Sequence, residues 1–146
     1  MACDFKASTA VWFNFLGLSI PKIMADHNEF GKLAEDLAVK FLEDLKYKIL
    51  VKNFRFMKAE IDIIAEFENE IIIVEVKARG TDVFMEPQEA INKKKIRLLI
   101  FAANEFSENY KKNLNTRFDV ITILPDEKNK LQITHIINAF ESIDGN

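Results

Sequence analysis

Between Asn28 and Leu45 the apolar residues Phe30, Leu33, Ala34, Leu37, Ala38, Phe41, Leu42 and Leu45 recur at i, i+3, i+4 and i+7, the spacing that gives an α-helix one apolar face. Asp26, followed three residues later by Glu29, offers a capping box at its start. The period then changes. Tyr47 to Phe56 reads as a strand, and two β-branched runs follow, Ala59 to Phe67 and Glu70 to Lys77, with only Glu68-Asn69 between them. That spacing predicts a β-hairpin with a two-residue loop. Residues 80 to 87 read as a loop. A second helix is predicted from Pro87 or Gln88 to about Phe106, with Ile91, Leu98, Leu99, Ala102, Ala103 and Phe106 facing inward. Arg117 to Leu124 and Leu131 to His135 read as two further strands around a Pro125-Asp126 turn, with a short terminal helix from Asn138.

The hairpin carries the chemistry. With Glu68 and Asn69 as its loop, Asp62 faces Glu75 and Glu60 faces Lys77, and alternation along each strand predicts all four on one face. Two carboxylates directly opposite, with Cβ atoms roughly 5 Å apart, repel unless a proton or a cation lies between them. A divalent metal satisfies that requirement, and Lys77, two residues beyond Glu75, supplies a charge suited to an attacking water or a phosphate in transition. The alternative is that these charges are merely solvated on a half-exposed strand.

The basic residues leave similar alternatives. The net charge is −3, yet Lys46, Lys48, Lys52, Arg55 and Lys58 form an acid-free stretch, and Lys93, Lys94, Lys95 and Arg97 form a second. Such clusters suit phosphates, and Lys52, Arg55, Lys94 and Lys95 are the candidate nucleic-acid contacts; solvated surface is the competing reading. Lys94 and Lys95 fill a gap in the inward stripe of the second helix, so a lysine there either snorkels outward or points at an anion. Glu35 lies beside the apolar stripe of the first helix, where it either reaches the sheet or is solvated. The single Cys3 excludes a disulfide framework and suits a reducing, cytoplasmic compartment, and two distant histidines, His27 and His135, make a His-based metal site a poor fit.

Phe30-Gly31-Lys32-Leu33-Ala34-Glu35, Asn53-Phe54-Arg55-Phe56, Ala59-Glu60-Ile61-Asp62, Val74-Glu75-Val76-Lys77, Pro87-Gln88-Glu89-Ala90-Ile91, Lys94 and Arg117-Phe118-Asp119-Val120 together resemble, in order, the bacterial YraN family of predicted endonucleases, within the PD-(D/E)xK superfamily. The family is distantly similar to archaeal Holliday-junction resolvases. Ala34 and Ala59 stand where it usually has glycine, departures that touch backbone freedom and not ligands. The resemblance implies an α/β fold with a restriction-endonuclease-like αβββαβ core, a mixed central sheet flanked by helices. It further implies Mg²⁺ (or Mn²⁺) held by Asp62, Glu75 and the Val76 carbonyl, Lys77 acting on water, Glu35 and Glu60 as supporting acids, and 5′-phosphate products.

The expected activity is metal-dependent hydrolysis of phosphodiester bonds in DNA, ahead of RNA, with branched or structured DNA as a candidate substrate and a homodimer as a candidate assembly. A non-catalytic nucleic-acid-binding module with the same fold is the alternative, and a protein-protein adaptor is a third reading. Residues 24–146 are expected to form one nuclease-like domain. Residues 1–23 contain an apolar run from Ser8 to Ile20 that is too short to span a membrane and makes a poor signal peptide. With Met24 as an alternative start, this extension is either a start-site artefact or a loosely packed apolar arm.

Overall fold

The computed structural model describes residues 27–79, 91–126, 128 and 130–142, together with the backbone of Thr9–Phe13. In chain order the elements are strand β1 (Thr9–Phe13), helix α1 (His27–Asp44), strands β2 (Lys48–Phe56), β3 (Ala59–Phe67) and β4 (Glu70–Ala78), helix α2 (Lys93–Asn109), and strands β5 (Asn115–Pro125) and β6 (Leu131–Phe140). The strands form one sheet in the order β1-β6-β5-β4-β3-β2. Only β4 and β5 are parallel; every other neighbouring pair is antiparallel. A parallel pair needs a long crossover, and α2 lies within the connection between them.

Each helix covers one face. On one, Phe30, Leu37, Phe41 and Leu42 of α1 pack with Ile63, Ile72, Val74, Ile121 and Ile133. On the other, Ile96, Leu99, Ala102 and Ala103 of α2 pack with Ile61, Ile64, Ile71, Ile73 and Val120. The central strands are therefore buried on both sides, which is why Ile71 to Val74 is an unbroken apolar run without alternation. The result is an α/β architecture, a mixed sheet flanked by helices, as the sequence predicts.

Local geometry follows from a few residues. Glu68 and Asn69 have φ of 48° and 63°, the left-handed pair that a tight two-residue hairpin demands, and the ladder runs from Phe67↔Glu70 to Ile63↔Val74 in the predicted register. Helix α1 ends with the Tyr47 N–H donating to the Leu42 carbonyl and the Lys46 N–H to the Glu43 carbonyl, both at 2.9 Å, around a left-handed Lys46 with φ of 70°. This helix-terminating turn ordinarily takes glycine. Lys46→Gly is expected to raise stability by about 0.5–1 kcal/mol, the left-handed penalty of a side chain less the greater unfolded-state entropy of glycine. A urea midpoint that stays put or falls contradicts this.

Two segments depart from the sequence reading. Helix α2 starts at Lys93, with the Asn92 side chain accepting the Lys95 N–H at 2.9 Å as its cap. Ile91 thus precedes the cap, and the inward stripe begins at Ile96 instead; the predicted start at Pro87 or Gln88, the preceding loop and the Asp26 cap of α1 lie outside the described residues. The terminal helix from Asn138 does not form. There β6 continues to Phe140, which pairs with Phe118, and a left-handed Asn138 (φ 53°) lies within the register shift between Phe118 and Val120. At the other end of the chain, the backbone of Thr9–Phe13 pairs with β6, from Thr9↔His135 to Phe13↔Leu131. Among the described residues, no helix is long and apolar enough to cross a membrane.

Candidate active site

The β3–β4 ladder stops at Ile63↔Val74, immediately before Asp62 and Glu75. Past that level β4 stays paired with β5 through Ala78, while β3 stays paired with β2 down to Ala59, so the two strands part. Asp62 stands in the fork. Its Oδ2 accepts the Val76 N–H at 2.7 Å, taking the place of a strand carbonyl. The strand also changes face here: Ile61 joins the core beneath α2, and Ile63, two residues on, joins the core beneath α1. A regular strand would keep them on one face. On β2 the matching position is Asn53, left-handed at φ 52° between the Lys52↔Ile63 and Phe54↔Ile61 pairs.

Glu75 is buried, at 3% exposure, and two lysines meet it. Lys77 Nζ lies 3.0 Å from Oε1, and Lys95 Nζ reaches in from α2 to 3.3 Å from Oε2. That second contact is an ion pair without hydrogen-bond geometry, which leaves Oε2 a buried oxygen with no hydrogen bond. Lys95 also donates to the Glu60 carbonyl at 3.4 Å. Burial first, and then the negative charge of Glu75, push the Asp62 carboxyl up to about 7, against the Val76 N–H and Lys95. Glu35 is partly buried on α1 and its carboxyl is also raised, chiefly by burial; a hydrogen bond from Asn53 opposes the shift, while Glu60, Asp36 and Glu75 add to it.

The raised pKa of Asp62 fixes the sign of a pH effect. Between the ordinary carboxylate range and about pH 7 the folded protein holds a proton at Asp62 that the unfolded chain has released, so this residue's contribution to stability is lost as pH rises through that window. Asp62→Asn keeps an acceptor for Val76 and removes the charge. It is expected to gain stability over the wild type on going from pH 5 to pH 8, by up to ~3 kcal/mol, the roughly two pH units between pH 5 and the folded pKa of about 7 at about 1.4 kcal/mol each, and by less as the site relaxes. Urea denaturation of both proteins at the two pH values checks this; a pH-independent difference removes the basis for the assignment.

The remaining predicted residues divide clearly. Glu60 does not face Lys77, because the ladder has already opened; its carboxylate turns instead to Arg55 on β2 at 3.1 Å, in an exposed pair. Lys52 and Lys94 are exposed, and the lysine that enters the site is Lys95. A hard divalent cation suits the two carboxylates, with the buried Glu75 Oε2 short of a hydrogen bond and the Asp62 charge held back by its neighbour. Among the described residues no three His, Cys, Asp or Glu side chains converge as a metal cage. Backbone oxygen and water would therefore complete the coordination, with the Val76 carbonyl as the candidate in the chain.

A second polar centre surrounds Asp119, for which the sequence suggests a structural pairing near Arg117 but not the rest of the network. Asp119 is fully buried, accepts Nε and Nη2 of Arg117, each at 2.9 Å, and the Asn138 N–H at 3.0 Å, and lies 2.8 Å from His135 Nε2. Arg117 continues to Glu70 at 3.0 Å and to the Tyr47 hydroxyl at 3.1 Å. Burial works to raise the Asp119 pKa, but its partners outweigh burial and hold it below the ordinary range. The Arg117-x-Asp119 spacing, which puts both on one strand face, is the one signal in the sequence. Nothing local points to His135 or Asn138.

Sheet, helices and fork define an α/β protein of the restriction-endonuclease-like type, with an acid pair and two lysines where the central hairpin opens. The model of the uncharacterised protein family UPF0102 matches residues 34–123, a span that holds all of these site residues. The chain is 45% identical over 117 residues to the UPF0102 protein FP2501 of Flavobacterium psychrophilum, covering 80% of this chain and 98% of that one. It is 42% identical over 117 residues to a UPF0102 protein of Phocaeicola vulgatus (80% and 96% covered) and 44% identical over 116 residues to SYO3AOP1_0546 of Sulfurihydrogenibium sp. (79% and 96%). The chain belongs to the UPF0102 family, the same YraN family that its motifs resemble.

Proposed function

We propose that this chain is a metal-dependent endonuclease that hydrolyses phosphodiester bonds in DNA. The observation that carries the reading is the meeting of Asp62 and a buried Glu75 in the β3–β4 fork, with Lys77 and Lys95 on the Glu75 oxygens. Asp62 and Glu75 would hold Mg²⁺ or Mn²⁺, which when bound supplies electrophilic stabilisation of charge on the phosphate oxygens. Val76 keeps Asp62 oriented through its N–H. Lys77, on the same strand face as Glu75, orients a water for in-line attack and meets the growing negative charge. Lys95 holds Glu75 from the opposite element and ties α2 to the Glu60 backbone. Glu35, with its raised pKa, is the acid nearest in character to a proton acceptor for that water.

One observation favours the alternative of a binding module without catalysis: both Glu75 oxygens already have an ammonium partner. The two readings differ in their response to cation. For the endonuclease, millimolar Mg²⁺ or Mn²⁺ raises the melting temperature by mass action, Asp62→Ala abolishes the rise, and labelled linear, flap, junction and RNA substrates are cut only with metal present. A melting temperature indifferent to both ions, with nucleic-acid binding equal in EDTA, leaves the binding module standing.

A further inference from the structure

Strands β2 and β3 run past the acid pair to a two-residue turn, Met57-Lys58, in which Met57 has φ of 52°. Met57 is 80% exposed, and Phe101 on α2 is 47% exposed. The turn and α2 come together here: Phe56, the residue before Met57, packs its ring against Phe101 with centroids 5.2 Å apart and planes tilted by 42°. A single exposed apolar side chain needs no explanation, but a ring pair that bridges the end of β2 and α2, beside an exposed methionine at the turn, does.

Charge says what covers them. The chain carries a net −3, yet both elements that build this surface are basic. The half of β2 that leads into the turn and the turn itself carry Lys52, Arg55 and Lys58 with no acid, and α2 from Lys93 to Phe101 holds Lys93, Lys94, Lys95 and Arg97 with no acid. The acid beside the turn, Glu60, is paired with Arg55. A π-faced, polarisable patch within a positive field fits a polyanion whose units also present flat apolar faces, which describes unstacked nucleotides. A fully paired duplex hides those faces and offers only phosphates and groove edges.

We propose that Met57 and Phe101, backed by Phe56, form a stacking platform for an unpaired nucleobase of the strand that runs through the Asp62–Glu75 fork. Phe56 pairs with Ala59, three residues along β3 from Asp62, so at roughly 3.3 Å per residue the platform begins about 10 Å along the strand from the fork, a reach of a few nucleotides. The substrate class is then nucleic acid with an unpaired stretch close to the scissile bond, such as a flap or a junction. The assignment of the scissile bond rests on the endonuclease reading; the platform itself is tested by binding alone.

The test is fluorescence anisotropy of the full chain in EDTA, with two labelled DNAs of equal phosphate count, one fully paired and one carrying a single-stranded flap. Phe101→Ala is expected to weaken flap binding by roughly 5- to 100-fold, the range for loss of one base–aromatic stacking contact, Met57→Ala to weaken it by a smaller factor, and both to change duplex binding less than about twofold. Phe101→Trp, which keeps a stacking face, should bind the flap at least as well as the wild type and shows that any loss in the alanine variant is not misfolding. Equal losses on both DNAs mean that the surface acts through charge alone, and overturn the platform. No loss on either DNA leaves the surface to a protein partner, and also overturns it. The two proposals fail separately: a platform that operates in a protein cutting nothing with Mg²⁺ or Mn²⁺ refutes only the endonuclease, and a protein that cuts while its flap preference ignores Phe101 and Met57 refutes only the platform.

Discussion

Lys77→Ala is expected to lower the rate of phosphodiester cleavage by a factor on the order of 10² or more, while cation-induced stabilisation and DNA affinity stay close to the wild type. The split follows from what the ammonium touches. Lys77 lies on Glu75 Oε1 at 3.0 Å and is largely buried, so its charge is directed into the fork and not outward along a phosphate track. A group that meets charge developing only in the transition state lowers the rate when lost and leaves ground-state binding in place. Lys95→Ala should behave differently. Its ammonium lies over the otherwise unbonded Oε2 and reaches the Glu60 carbonyl, so its loss leaves a buried carboxylate short of a partner and strengthens the site's demand for a cation. Single-turnover cleavage and thermal shifts with and without Mn²⁺ separate the two lysines; wild-type cleavage by the Lys77 variant removes Lys77 from the chemistry.

Asp119→Ala is expected to destabilise the fold by about 3–5 kcal/mol, the usual result of deleting one member of a buried, hydrogen-bonded charge pair. Four donor contacts lose their acceptor at once, two from Arg117 and one each from His135 and the Asn138 backbone. For a chain of this size the loss corresponds to a fall in melting temperature of about 10–20 °C. Asp119→Asn keeps the shape and part of the acceptor capacity and should cost less. The pH dependence is opposite in sign to that of Asp62: because the Asp119 carboxyl is held below its ordinary range, its contribution is present near neutrality and is lost on acidification. A loss under 1 kcal/mol for the alanine variant in urea denaturation would make the network ornamental.

These two residues also mark how far the sequence can be read. Asp62 and Glu75 are legible because a two-residue loop fixes register, and register is arithmetic once Glu68 and Asn69 are recognised as the turn. The opening of the ladder just past them is not legible, since it depends on β4 holding to β5 while β3 holds to β2, a competition between strands distant in the chain. For that reason arithmetic pairs Glu60 with Lys77, whereas the folded chain puts it on Arg55. Lys94 and Lys95 fill the same gap in the predicted inward stripe, so periodicity does not choose between them; once Asn92 caps the helix, Lys95 falls near the acid pair and Lys94 faces solvent. The Asp119 network and the strand at Asn138 share one cause. A left-handed residue in a register shift answers to a partner on another strand and leaves no periodicity behind.

The Glu68-Asn69 turn has a bearing on the order in which the molecule assembles. A hairpin closed by two residues costs little loop entropy and can form within microseconds, so Asp62 and Glu75 meet while the chain is still largely open. Lys95 arrives only when α2 docks across the sheet. Until then Lys77, on the same strand as Glu75, is the ammonium beside the acid pair, and the incoming helix brings the second one through Lys95. The charges of the fork thus also act as a guide for the second helix, and weakening either acid should slow the docking step relative to formation of the hairpin.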